Sequence, residues 1–299
     1  MQVLIQPMHN SSINSVSHQV RRKPEWLKIH LPNLKYSAAI ISLLKEKGVN
    51  TICSSGLCPN RGECWNSGTA TFMIAGDVCT RSCRFCATKT GKPHGLPDIS
   101  EIQSIVQCVK ALELKHMVIT SVDRDDLPDG GANHWASVIT ALRVECPGVT
   151  IETLIPDFRG DEKLIDIIIN CAPDVISHNI ETVERITPKV RSVATYRGSL
   201  NVLRQVSRAG IRTKSGLMVG LGETHDEIIR AMDDLLEAGC DIITIGQYLQ
   251  PTPEHIPVDR YITPYEFDDY RRIALNKGFL YAESGPFVRS SYHAERHVR

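Results

Sequence analysis

Residues 71–86 read TFMIAGDVCTRSCRFC, an apolar segment of strand length that runs straight into a loop bearing thiols at Cys79, Cys83 and Cys86. Thiolates are soft ligands that favour iron–sulfur clusters or zinc, and three on one short loop can grip three corners of a cubane. No fourth cysteine stands nearby, which leaves one iron open to a small molecule and turns an electron store into a reaction site. Zinc sites usually draw four ligands from paired CxxC units, and the CxxxCxxC spacing lacks that pairing.

Outward from this stretch, short apolar runs alternate with amphipathic stretches of helical length. The predicted strands are residues 71–75, 117–122, 149–154, 174–178, 212–219 and 241–247, and helices are expected near 99–113, 134–145, 161–170, 197–209, 225–238 and 264–276. Such alternation argues for parallel βα units. Six units fall short of the eight of a closed barrel, so the expected fold is α/β, a partial (β/α)6 TIM-like barrel. Its ligand site should lie at the C-terminal ends of the strands, where the cysteine loop arrives. The barrel is assigned to residues 70–283, with a flexible tail at 1–22, an extension at 23–69 and a C-terminal tail at 284–299. Trp26 is the expected anchor of the extension, and residues 37–47 have helical periodicity that stops at Gly48. The GLGET run at 220–224 lacks both GxGxxG and a GKS/T ending, so it reads as a strand-to-helix turn with Thr224 as N-cap.

The totals narrow the function classes. Lys plus Arg and Asp plus Glu both number 34 in 299 residues, which offers no overall basic field for nucleic acid. Ten cysteines without a recognisable signal peptide point to a reducing compartment, here the cytoplasm. No apolar run reaches the ~18 to 20 residues that span a bilayer. Cys108, Cys146, Cys171 and Cys240 are isolated and read as packing residues.

A second group, Cys53, Cys58 and Cys64 in CSSGLCPNRGEC, again places three thiols on one short Gly/Pro-bearing loop. A zinc knuckle completed from elsewhere, or three unrelated buried cysteines, are the bland readings. Thiolates rarely cluster so densely without a metal.

With both loops in view, the chain resembles lipoyl synthase, a radical S-adenosylmethionine (SAM) family. The likeness rests on CxxxxCxxxxxC followed by FMIAGDVCTRSCRFC, and on KPEWLK, SVDRDDLPDGGA, HNIETV, GLMVGLGET, QYLQPTPEHIPVDRY and GPFVRSSYHA, spanning residues 23–294. The resemblance implies two [4Fe–4S] clusters. Cys79, Cys83 and Cys86 would hold the one whose open iron chelates SAM and cleaves it to a 5′-deoxyadenosyl radical. Cys53, Cys58 and Cys64 would hold an auxiliary cluster that donates sulfide, with Ser291 as its fourth ligand and Ser290 as the one-residue alternative; read alone, these serines are an exposed polar tail. It further implies insertion of sulfur at C6 and then C8 of an octanoyl-lysine on a lipoyl carrier domain, either a 2-oxoacid dehydrogenase E2 or the glycine-cleavage H protein. A ferredoxin- or flavodoxin-like reductant is implied too, and the enzyme is expected to act as a monomer without nucleic acid or membrane.

Polar residues just beyond the predicted strands supply candidates for SAM. Ser121 and Asp123 follow the second strand, Asn179 and Glu181 the fourth, and Arg191 and Lys214 are cationic candidates for the methionine carboxylate or the clusters. Two further readings stand beside the leading one: another sulfur-inserting radical SAM enzyme, and a metal- or cluster-binding regulatory protein without turnover.

Overall fold

The computed structural model describes residues 22–28, 34–56, 58, 60–66 and 69–298; the polar opening at 1–21 lies outside them. The first part is helical, with α1 (Leu34–Glu46), then a two-residue strand β1 (Asn50–Thr51) leading into short helices α2 (Ile52–Ser55) and α3 (Arg61–Asn66). Next come β2 (Thr69–Ile74) and a small ribbon, β3 (Val78–Cys79) with β4 (Lys89–Thr90). Strand and helix then alternate through α4 (Ser100–Ala111), β5 (His116–Ser121), α5 (Ala132–Glu145), β6 (Thr150–Leu154), α6 (Glu162–Asn170) and β7 (Val175–Ser177). The series continues with α7 (Thr187–Val190), α8 (Tyr196–Arg208), β8 (Arg212–Val219), α9 (His225–Glu237), β9 (Ile242–Gln247), α10 (Pro264–Lys277) and β10 (Tyr281–Gly285).

One sheet has the order β1-β2-β5-β6-β7-β8-β9-β10, parallel throughout except for β1 against β2. It is open, with β1 and β10 at its edges. The six predicted strands are present, and a seventh parallel one, β10, adds to them. Its sequence YAESG has no apolar run to announce it; it forms because α10 returns the chain beside β9.

The strands are buried on both faces, and the pleat divides their residues. Phe72, Ile74, Met117, Ile119, Ile151 and Ile176 pack into one core under the helices, and Leu217, Val219, Ile243 and Ile245 into a second. The alternate residues line the inside of the curved sheet and include Met73, Glu152, Ser177, Lys214, Gly216 and Thr244. This inner face is polar at its base and opens into a cavity above.

Two local expectations have clear outcomes. Thr224 caps α9, accepting from Glu227 N while the Glu227 side chain caps Thr224 N in return. Trp26 is not the anchor of the extension: it is 41% exposed, and its neighbour Leu27 is buried at 4%.

After β10 the chain folds back along the inside of the sheet. Gly246 permits this, since a Cβ there would stand 2.1 Å from Val288 O. The tail descends past the second cysteine loop, where Asn60 Nδ2 donates to Phe287 O and Tyr292 donates to Glu63. It ends at the strand starts, where Thr69 donates to Glu295 and Arg212 donates to His297 O.

Candidate active site

The loop carrying Cys79, Cys83 and Cys86 leaves β2 at its C-terminal end and is tied down on two sides. Thr80 donates to Asp123 O through both its amide and its hydroxyl, at 3.0 and 2.9 Å. On the other side, Ile256 N donates to Arg84 O at 3.1 Å and His255 Nε2 donates to Cys86 O at 2.9 Å. The Cys79 sulfur accepts from the main-chain N–H groups of Arg81 and Asp123 at 3.4 and 3.3 Å.

Arg81, between the first two cysteines, turns inward and is buried. Its guanidinium meets Asp123 at 3.3 Å, Asp125 at 2.7 Å and Asp157 at 2.7 Å, so the cysteine loop is locked to the loops after β5 and β6. Burial would raise Asp157, but the Arg81 charge outweighs it and holds that carboxyl low. Burial wins at Asp123, whose pKa is raised despite Arg81.

Above this loop lies a cavity of about 480 Å³. All three cysteines line it, together with Ser121, Asp123, Asn179, Glu181 and Arg191 from the predicted set. Arg191 donates to Asn179 O at 3.2 Å and to Ser199 at 2.8 Å, and Asn179 Nδ2 donates to Glu181 at 3.1 Å. Asn179 Oδ1 and Arg191 Nε are buried without a partner. Burial raises Glu181, and it drives His178 down to about 4, keeping that imidazole neutral.

Lys214 is not brought to this site. Its strand and its side of the sheet are as expected, but it sits one layer too deep. Its Nζ donates to both oxygens of Glu152 at 2.9 and 3.0 Å, fully buried at the base, while Gly216 and Met218, further along β8, reach the cavity.

Of the second cysteine group, Cys53 lies in α2, Cys64 in α3 and Cys58 between them. Burial and the neighbouring Cys58 push Cys53 up to about 11, and burial with Cys58 and Cys53 pushes Cys64 up to about 12. Ile52 and Gly56 from this segment and Arg289 and Ser290 from the tail also line the cavity. Ser290 Oγ accepts from Asn179 Nδ2 at 3.4 Å; Ser291 is the next residue along. No disulfide joins any cysteine.

Sequence reasoning missed Arg81, Asp157, His178 and Arg289. Asp157 and His178 follow strands, and that position was the available signal. Arg81 was hidden between cysteines, and nothing local announces that Arg289 is half-buried and near enough to Cys58 to feel its charge.

The model of the Radical SAM superfamily matches residues 73–235. Lipoyl synthase of Bacteroides thetaiotaomicron is 56% identical over 279 residues, covering 93% of this chain and 98% of that protein. The chain belongs to the lipoyl synthase family. Lipoyl synthase of Treponema denticola, at 55% identity, covers 93% of this chain and is itself covered to 96%. Among solved structures, Streptococcus suis SuiB bound to its precursor peptide SuiA superposes with a TM-score of 0.58 at 10% identity, over 88% of this chain and 57% of that one. Native anSMEcpe with bound AdoMet and Kp18Cys peptide gives 0.53 at 12% identity, over 72% of this chain and 63% of that one. At such identities the likeness concerns the fold alone, and that fold is the radical SAM one.

The family implies a [4Fe–4S] cluster and SAM, and the residues fit both. Three thiols line the cavity, and Asn179 and Arg191, which line it too, each keep one buried polar atom without a partner, Oδ1 and Nε. No three His, Cys, Asp or Glu side chains among the described residues converge as one bare ion would need; a cubane sets its thiolate corners wider apart than a single tetrahedral ion does. Among the described residues no helix is long and apolar enough to cross a membrane.

Proposed function

We propose that this chain inserts two sulfur atoms, at C6 and C8, into an octanoyl group carried on a lysine of a lipoyl carrier domain, using two [4Fe–4S] clusters with separate tasks. The observation that carries this reading is a shared cavity. Cys79, Cys83 and Cys86 line it, and so do Ile52 and Gly56 of the second cysteine segment and Arg289 and Ser290 of the tail, while Cys53, Cys58 and Cys64 are not among its lining residues. When bound, the first cluster with SAM supplies a carbon-centred oxidising radical, and the second supplies sulfide.

The chain's own residues supply position and environment. Asn179, Glu181 and Arg191 would receive the polar groups of SAM, with Ser121 and Asp123 nearby. The N–H groups of Arg81 and Asp123 stabilise charge on the Cys79 sulfur. Cys53, Cys58 and Cys64 would hold the second cluster, and Ser291 would complete it with a weak hydroxyl ligand, suited to a cluster that must give up sulfide. Apolar lining keeps water from a reactive intermediate. The carrier is an E2 or H-protein domain, whose long acyl-lysine arm reaches a recessed cavity without the domain entering. A ferredoxin- or flavodoxin-like donor delivers the electrons, in the cytoplasm, to a monomer.

Anaerobic reconstitution with iron and sulfide, followed by SAM, reductant and an octanoyl-lysyl peptide, tests this directly. About eight irons per chain and a dithiolated product are expected. Bound zinc, or no 5′-deoxyadenosine under reducing conditions, would overturn the reading.

A further inference from the structure

A carbon that must be reached from both cysteine loops has to lie between them, and the buried apolar residues show where. Of the three buried apolar clusters among the described residues, the two large ones each touch one loop, through Cys53 and Cys58 in one case and Phe85 in the other. The small third cluster, Met73, Ala75 and Val122, packs with Ile52 beside Cys53 and with Cys79 at once. Met73, Val122 and Ile52 all line the cavity.

The sheet's pleat explains why Met73 is free to do this. Its neighbours Phe72 and Ile74 point into the core under the helices, whereas Met73 takes the inner phase, where Leu154 and Met218 also line the cavity. Its register partner on β5 is Thr120, and its sulfur lies 3.8 Å from Ser55 Oγ on the second cysteine loop. Met73 belongs to neither of the two large cores; its apolar contacts are those of the small cluster between the loops. A thioether is also soft and adaptable, suited to a flexible alkyl chain.

We propose that Met73, backed by Val122 and Ile52, is the wall against which the substrate's alkyl chain lies, and that the bulk of Met73 sets the acyl length the site accepts. This inference rests on the sulfur-insertion reading above. Each methylene held against such a wall contributes about a fourfold factor in affinity.

The test compares hexanoyl-, octanoyl- and decanoyl-lysyl peptides on reconstituted holoenzyme, first by calorimetric binding to the oxidised, non-turning-over form and then by product formation. In the wild type, octanoyl should bind best. Met73→Ala should shift the optimum towards decanoyl, and Met73→Phe towards hexanoyl, each changing the ratio to octanoyl roughly tenfold, since several methylene contacts are gained or lost. Iron content and thermal melting matched to the wild type establish folding; should Met73→Ala fail there, Val122→Ala carries the same expectation. An unchanged length ranking in well-folded variants overturns the inference alone. A wild type that binds these peptides but never thiolates them overturns the reaction reading instead.

Discussion

The main-chain N–H of Asp123 points at the Cys79 sulfur from 3.3 Å, while the carboxylate of the same residue stands 3.3 Å from the guanidinium of Arg81. One residue thus joins the metal-binding loop to a buried charge network. Removing one partner of a buried ion pair costs about 3–5 kcal/mol. Arg81→Met should therefore lower unfolding free energy by that order, read from urea titration of the metal-free protein. A loss below about 1 kcal/mol would mean that solvent already satisfies the three carboxylates.

The two cysteine loops should be separable in function. Cys58→Ala is expected to abolish dithiolated product while 5′-deoxyadenosine still forms, and Cys83→Ala to abolish both. If Cys58→Ala stopped SAM cleavage as completely as Cys83→Ala, the division of labour would be wrong.

The serine pair offers a finer distinction. Ser290 lines the cavity and accepts from Asn179, and Ser291 is the proposed ligand of the second cluster. Ser291→Ala should drop sulfur insertion by at least tenfold, and Ser290→Ala by much less. The reverse order, measured on enzymes of equal iron content, would move the ligand by one residue.

The metal-free protein should weaken in base. Cys53 moves from 9.0 up to about 11, and Cys64 up to about 12, so above the ordinary thiol range the unfolded chain holds fewer protons than the folded one. Stability then falls as pH rises. It should be intact below about pH 8 and decline between about pH 9 and 12. Thermal melts of the Cys53→Ser, Cys64→Ser double variant should show a flatter slope; an equal slope would assign the effect to other groups.

Much of this was legible in the residues, for identifiable reasons. The strand and helix series stood out because fully buried strands are apolar runs and the helices keep a helical period, and Thr224 followed from capping chemistry. Both cysteine loops were visible because ligand spacing is local. What failed depended on the third dimension. The polar strand β10 forms only because α10 returns it to β9, and Lys214 lies one layer below the cavity because a pleat repeats every two residues. Arg81 and Asp157 meet across 76 positions of chain, counted from 81 to 157, a distance that no local pattern spans.

The inserted sulfur is proposed to come from a cluster held by Cys53, Cys58 and Cys64. Reconstituting the enzyme with heavy-isotope sulfide, removing the free excess and allowing a single turnover in light-isotope buffer tests it most directly by mass spectrometry of the peptide. Both product sulfurs should carry the heavy label in the wild type. Light sulfur in the product, or heavy product from the Cys58→Ala variant, would contradict the account.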